Sequence, residues 1–371
     1  MTHLYDEIGV ARVINASGSM TYLGGSLIAP EVLEKMNEAA GAFVVMEELM
    51  DWAGGEVARL TGAEAGMVTS GSAGGILLSC AACITGDDRQ KMRQLPVVEG
   101  KNEFVMQKHH RIGFDHAVGV AGGKIVEVGG EDGTELAQIE AALSEQTAAI
   151  LHVVLDPQPT VPLQDVAKLA HAHGIPVIVD AAAELPPVDN LHAFLAAGGD
   201  LVIFSGGKDI SGPNDSGILC GRADLIKAAR MQAFPNGPIG RPLKVSKEQI
   251  VGLVFALRRF KALDEGERMR HWQEKAEAMC AELQGIAGVE AEVALPTRGG
   301  RPLVIPRTRL RIDEPLLGCT VNEIDEQLEQ GTPAIAVSIA SGEIWLNPQH
   351  LADGEEEVVV RRVAEVLKAR G

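Results

Sequence analysis

The chain has 371 residues, 46% hydrophobic and 23% charged, enough for a large buried core; one large domain with a smaller companion is the organisation this length predicts. A formal charge of −18 argues against a nucleic-acid partner, tRNA included, because phosphate backbones are held by clustered Lys and Arg. No window approaches the ~20 apolar residues that cross a bilayer, and the opening Met1-Thr2-His3-Leu4-Tyr5-Asp6-Glu7 lacks a basic-then-apolar leader, so a cytoplasmic protein without a membrane partner is expected.

Along the chain, the first chemically suggestive stretch is Val68-Thr69-Ser70-Gly71-Ser72-Ala73-Gly74-Gly75, opening an apolar helix. Unpaired amides, a helix dipole and hydroxyls converge there on an anion site; a plain capped helix start is the other reading. No Gly-Lys-Ser/Thr follows, so this is not a Walker loop. The same helix carries Cys80-Ala81-Ala82-Cys83, a C-x-x-C without a second pair. With Cys220, Cys280 and Cys319 the cysteines form an odd set in apolar surroundings, read as reduced, buried thiols with no metal site.

Short β-branched runs then alternate with helical patterns, the signature of a mostly parallel sheet wrapped by helices. The expected strands are Phe104–Lys108, Lys124–Val128, Ala149–Val154, Pro176–Asp180, Leu201–Ser205 and Gly217–Cys220, with helices at Glu135–Leu143 and Leu163–His173 between them. Sheets of this kind bind ligands at the carboxyl ends of their strands. A Pro- and Gly-rich stretch, Phe234 to Pro242, reads as a boundary, placing the large domain at residues 1–244 and a smaller α+β domain at 245–371. Long amphipathic helices over Lys247–Leu263 and Arg268–Ile286, a helix at Val321–Glu329 and a terminal helix from Glu355 are expected in the latter.

Two strand ends carry the chemistry. Val177-Ile178-Val179-Asp180 delivers a carboxylate to the last position of an apolar strand, where burial is costly without a cation; a protonated pyridine nitrogen is such a partner, and capping the next helix is the competing role. The second is Leu201-Val202-Ile203-Phe204-Ser205-Gly206-Gly207-Lys208. Its glycines would let a ring approach the backbone, Ser205 would bind a phosphate oxygen, and a desolvated Lys208 would be a competent Schiff-base amine and proton carrier. A surface lysine after a turn is the alternative for that motif alone. The spacing from Asp180, 28 residues across one helix, points instead to one pyridoxal 5'-phosphate site.

These residues, with Val13-Ile14-Asn15-Ala16-Ser17-Gly18, Thr21-Tyr22-Leu23-Gly24, His110-Arg111, Asp115-His116, Gly212-Pro213 and Gly240-Arg241-Pro242-Leu243-Lys244 followed by Lys247-Glu248, resemble the bacterial selenocysteine synthase (seryl-tRNA selenium transferase) superfamily. Within it the closest resemblance is to the branch of D-glucosaminate-6-phosphate ammonia lyases. The resemblance implies an α/β fold of the aspartate aminotransferase-like type (fold type I), with a large, mostly parallel, seven-stranded-type sheet and a smaller α+β domain. It also implies that Lys208 carries the cofactor, that Asp180 holds its ring nitrogen, and that Ser70, Gly71, Ser72 and Ser205 bind its phosphate. A histidine of the pair His109-His110 is expected to stack on the ring, with His110 preferred and a solvent-exposed loop residue as the alternative. Asn15, Thr21, Arg241 and Lys244 are expected to bind substrate across a homodimer or larger homo-oligomer with shared active sites, unless Asn15 serves only a turn and the cations only a solvated surface. One departure stands out: family members carry a late arginine where this chain aligns Ser338, which puts an ordinary α-carboxylate grip in doubt. Arg307, Arg309 and Arg311 are the compensating candidates, against a simple solvent-facing pattern.

The activity implied is α,β-elimination on an amino acid or phosphorylated amino sugar acid, releasing ammonia and a keto acid. A selenium transferase-like β-replacement is the runner-up, disfavoured by charge and by the early start of the Asn15 motif. Racemase or aldolase chemistry begins the same way, and a PLP-binding regulator is the non-enzymatic alternative.

Overall fold

A computed structural model of the chain describes residues 3–155, 158–297 and 300–368. In chain order its strands are β1 (Val13–Asn15), β2 (Ala65–Ser70), β3 (Glu103–Gln107), β4 (Lys124–Val128), β5 (Thr147–Val153), β6 (Val177–Asp180), β7 (Leu201–Ser205), β8 (Ser216–Gly221), β9 (Val289–Ala294), β10 (Arg307–Ile312), β11 (Ala334–Ala336), β12 (Ser338–Ala340) and β13 (Glu343–Leu346). Contacts divide the chain into one unit over Leu27–Ala262 and a second that joins Met1–Ser26 to Leu263–Gly371.

The larger unit is built on a seven-stranded sheet ordered β2-β8-β7-β6-β5-β3-β4. Strands β3 to β7 are mutually parallel, and β8 is antiparallel to both β7 and β2. Six strands therefore run one way and deliver their carboxyl ends, with the start of β8, to a single edge. Continuous apolar runs such as Thr147–Val153, buried at every position, are what a sheet covered on both faces demands. Alternation sends Val105, Ile150, Val177, Val179, Val202 and Phe204 to one core, shared with the helices Met46–Thr61, Leu163–Ala172 and Lys247–Ala262. Phe104, Met106, Leu151, Ile178, Leu201 and Ile203 go to the other core, under the helices Gly71–Thr85 and Ala223–Gln232.

This division differs from the boundary expected at residue 244/245. Helix Lys247–Ala262 inserts Ile250, Leu253, Val254, Leu257 and Phe260 into the first of these cores and so belongs to the larger unit. The Pro- and Gly-rich stretch before it is a packed loop rather than a linker: the N–H of Gly240 donates to the carbonyl of Gln232 at 3.0 Å, and a Cβ on Gly240 would fall 2.7 Å from Leu78. At the other end β1 pairs in parallel with β11, Val13 opposite Ala334, which draws the first residues into the smaller unit.

That unit holds a four-stranded antiparallel sheet, β12-β13-β10-β9, over the helices Glu265–Leu283, Val321–Glu329 and Glu355–Lys368. A reciprocal cap between Thr320 and Glu323 starts the second of these helices. Arg309 and Arg311 pair with Glu290, Glu292 and Glu343 across the sheet, while Arg307 is buried with its Nη2 on the carbonyls of Gly300 and Pro302. All three arginines are thus engaged within the unit. The five cysteines are free thiols, and burial raises those of Cys80, Cys83 and Cys220, the latter two to about 12. No described helix is long and apolar enough to cross a membrane.

Candidate active site

The carboxyl edge of the large sheet gathers most of the predicted residues. Asp180 closes β6, is 5% exposed, and accepts the Ala182 N–H at 3.0 Å on Oδ1. Burial pushes its carboxyl up; the Ala182 amide and the charge on Lys208 pull it back, and Glu184 adds to the rise. Asp180 ends β6, and β7, which precedes Lys208, is its parallel neighbour.

Lys208 reaches this position through a tight turn after β7. The Gly206 N–H donates to the Ser216 carbonyl, the Gly212 N–H to the Gly206 carbonyl and the Ser211 N–H to the Lys208 carbonyl, each at 2.9 Å. A Cβ on Gly206 would lie 2.2 Å from Ser216 Oγ, and one on Gly207 2.4 Å from the Asn214 Cα. These glycines let the turn pack against Asn214 and Ser216, where β8 begins.

Ser70 ends β2 and pairs with Ser216, while Ser205 ends β7 and pairs with Gly217. The two serines thus flank the start of β8 from either side, about 10 Å apart at the backbone. Gly71, at φ +66°, turns the chain into the helix Gly71–Thr85, and no side chain caps that helix's first amides. Thr69 Oγ1 donates instead to the Gly71 carbonyl at 2.8 Å, and a Cβ on Gly217 would collide with that carbonyl group at 2.5 Å. Uncapped amides, Ser72 and two strand-end hydroxyls are the kinds of group an anion site requires.

His110 follows β3 in a short turn and is 1% exposed. Its ring meets His152 of β5 edge-on, with centroids 4.4 Å apart and planes at 75°. Nδ1 of His109, His110 and His152 is buried with no hydrogen-bond partner among the described residues. Burial lowers His110 to about 3, helped by His152 and His109, and lowers His152 to about 4. His110 is therefore a neutral ring at physiological pH rather than an imidazolium acid, and it is not the exposed loop residue of the alternative reading. His152 is absent from the predicted site; its one sequence signal is a titratable ring inside an otherwise apolar strand.

Both depressed histidines carry a linkage consequence. The unfolded chain takes up protons near 6.5 and the folded one only near 4 and 3, so their stabilising contribution is complete above 6.5 and lost as pH falls through that window. The melting temperature of the cofactor-free protein is expected to drop between pH 6.5 and 4, and His152→Phe to flatten that slope; equal slopes in the two proteins would refute the assignment.

A family model for L-seryl-tRNA selenium transferase (SelA) matches residues 13–347. The chain belongs to that family. It is 35% identical over 377 residues to the D-glucosaminate-6-phosphate ammonia lyase of Salmonella typhimurium, covering 99% of this chain and 98% of that protein. It is 34% identical over 380 residues to a 5'-C-glycyluridine monooxygenase-decarboxylase of a Streptomyces species, covering 99% and 92%. An L-seryl-tRNA(Sec) selenium transferase of Solidesulfovibrio magneticus is 27% identical over 406 residues, covering 96% and 82%. A solved D-glucosaminate-6-phosphate ammonia-lyase structure superposes with a TM-score of 0.85 at 34% identity, covering 100% of this chain and 99% of that one. A NifS-like protein, at TM-score 0.61 and 17% identity over 96% of this chain and 100% of that one, shares the fold. The fold is that of the fold type I enzymes.

The cofactor of the selenium transferase family, and of this chain, is pyridoxal 5'-phosphate. The residues present fit it on their own chemistry. A buried carboxylate short of cationic partners suits a protonated ring nitrogen, an uncapped helix start suits a phosphate, and a half-buried amine lies within electrostatic reach of the acid.

Of the remaining residues expected from the selenium transferase resemblance, Arg241 and Lys244 are exposed and sit over the Phe234 ring at 5.1 and 5.7 Å. Their segment runs along the Gly71–Thr85 helix, Leu243 lying 3.7 Å from where a Cβ on Gly74 would be. Asn15 and Thr21 belong to the smaller unit. Asn15 is spent on a turn: Nδ2 donates to the Gly18 carbonyl at 2.8 Å, and Oδ1 accepts from Ser17 and Gly18 at 3.0 and 3.1 Å. Thr21 is exposed at the start of a short helical turn. Ser338, expected from the resemblance to stand where relatives carry a late arginine, donates through Oγ to the Ser17 carbonyl at 2.9 Å.

Proposed function

We propose that this chain is a pyridoxal-phosphate-dependent lyase that removes the elements of water from a β-hydroxy amino acid or phosphorylated amino sugar acid, releasing ammonia and a 2-keto acid. The observation that carries the reading is that Asp180, ending β6, and Lys208, just after neighbouring β7, stand on the edge where the Gly71–Thr85 helix opens uncapped. Similarity over nearly the full length to the Salmonella ammonia lyase supports the reaction type. When bound, the cofactor accepts the electron pair left as a bond to the substrate's α-carbon breaks.

The chain's own groups divide the remaining work. Lys208 is the Schiff-base residue, and its Nζ takes the α-proton and returns a proton to the departing β-hydroxyl, which leaves as water. Asp180 keeps the ring nitrogen protonated. Ser70, Gly71, Ser72 and Ser205 hold the phosphate, and neutral His110 packs on the ring without donating. Arg241 and Lys244 hold the substrate's own phosphate, with Thr21 binding substrate across a cytoplasmic homodimer whose active sites are shared. Hydrolysis of the released product restores the lost water, so the net products are one keto acid and one ammonia.

Selenium transfer to a tRNA is disfavoured by the charge of −18. The 34% identity to a monooxygenase-decarboxylase favours oxidative decarboxylation as the second reading. The deciding assay incubates the holoenzyme with D-glucosaminate 6-phosphate and a panel of β-hydroxy amino acids, following ammonia, keto acid, carbon dioxide and dissolved oxygen. Equal ammonia and keto acid without oxygen uptake is expected. Oxygen consumption with carbon dioxide release, or no ammonia from any member, would overturn the lyase.

A further inference from the structure

Four neighbouring strands of the sheet, β7, β6, β5 and β3, each bring one titratable side chain to the same edge: Lys208 just after β7, Asp180 ending β6, His152 next to last in β5 and His110 in the turn after β3. Three of these have roles in the proposed reaction. His152 does not, although its ring is 4% exposed and lies between the strands that carry the acid and the stacking histidine.

Its surroundings narrow what it can do. Along β5, His152 alternates with Leu151 and Val153 and shares the face of Ile150, which packs with Val177 and Val179. Asp180 follows Ile178 onto the other face, so His152 does not meet the acid side chain to side chain. Gln107, the last residue of neighbouring β3, is committed elsewhere: its Nε2 donates to the Val161 carbonyl at 3.0 Å and its Oε1 accepts the Val161 N–H at 2.7 Å. What His152 does touch is the ring of His110, edge to face, and Nδ1 of both rings lacks any hydrogen-bond partner among the described residues. A histidine buried for stability ordinarily satisfies its ring nitrogens. Here Nδ1 of each ring is left without one, and the contact kept is ring against ring, a geometry that relates the plane of one ring to that of the other.

We infer that His152 is a positioning residue, whose perpendicular ring contact fixes the orientation of the His110 ring and through it the seat of the cofactor. The inference rests on His110 stacking on the cofactor, as proposed above, and adds a member that touches neither cofactor nor substrate. Burial of both imidazoles in neutral form is consistent with it, because two imidazolium rings in this contact would repel each other.

The test uses the holoenzyme and reads the visible circular dichroism that a bound, asymmetrically held cofactor displays, before any substrate is added. His152→Leu fills the volume without a ring edge, His152→Phe restores the edge without the nitrogens, and His152→Gln keeps polarity without a ring. Leu and Gln variants are expected to load cofactor with a weakened dichroic band and about tenfold lower turnover at little changed KM, and Phe to recover most of both. In a His110→Ala background, His152→Leu is expected to change neither quantity further, because its effect passes through His110. A wild-type band and turnover in both Leu and Gln variants, with only the melting temperature altered, would reduce His152 to core filling and overturn the inference. So would a loss of the same size with and without His110. The band is measured without turnover, so absence of ammonia release would count against the lyase reading and leave this one standing.

Discussion

Lys208→Ala is expected to abolish covalent cofactor attachment and to lower ammonia release by about 10⁴-fold, since it removes the nucleophile and the proton carrier together. The visible band of the lysine-bound cofactor should vanish, and borohydride should no longer fix the cofactor to the peptide containing residue 208. Lys208→Arg should fare no better, because a guanidinium keeps the charge but stays protonated and cannot act as the amine. The fold should survive both changes, as Lys208 is only half-buried and the turn around it is held by the backbone bonds of Gly206, Gly212 and Ser211. Far-ultraviolet circular dichroism checks that point. A wild-type visible band in Lys208→Ala would remove the assigned attachment site.

Asp180→Asn separates function from stability in opposite directions. The side chain keeps its shape and can still accept the Ala182 amide through its carbonyl oxygen. It can no longer hold a proton on the ring nitrogen by charge, and a loss of roughly 10²- to 10³-fold in turnover is expected, the scale for removing one preorganised electrostatic group. Stability of the cofactor-free protein should move the other way. Burial raises the folded-state pKa of Asp180, so its contribution is present below the ordinary carboxylate range and is lost as pH rises through the raised value. Above that raised value the wild-type apoprotein carries a buried anion for which Lys208 compensates in part, whereas the asparagine variant carries none. Its melting temperature should exceed that of the wild type at pH 7, with the gap closing as pH falls. Full turnover in Asp180→Asn would show that the carboxylate does not face the cofactor nitrogen.

The order of strands and helices in the larger unit was readable because each buried parallel strand is a short apolar run between turn residues, and such a run needs no knowledge of its neighbours. Lys124–Val128 and Leu201–Ser205 fall where the pattern puts them. Strand β2 was not among the expected strands. Its Ala65-Gly66 start has little intrinsic strand preference, and it forms by pairing antiparallel to β8 at the edge of the sheet, a partner about 150 residues away. The helix Lys247–Ala262 was found but assigned to the wrong side of the domain boundary, since an apolar stripe announces that it will be buried without saying against which core.

The candidate site divides in the same way. Asp180, Lys208 and the Ser70–Ser72 loop are chemical groups at the ends of local elements, so one dimension of sequence suffices to propose them, and the direction of the strands brings them to one edge. Tertiary structure alone decided that Asn15 closes a turn, that Gly206 and Gly207 make room for Ser216 and Asn214, and that Ser338 bonds to Ser17. It also decided that His110 is buried and neutral against His152. Each of those outcomes depends on register and burial between segments distant in the chain, and neither quantity exists until the strands have paired.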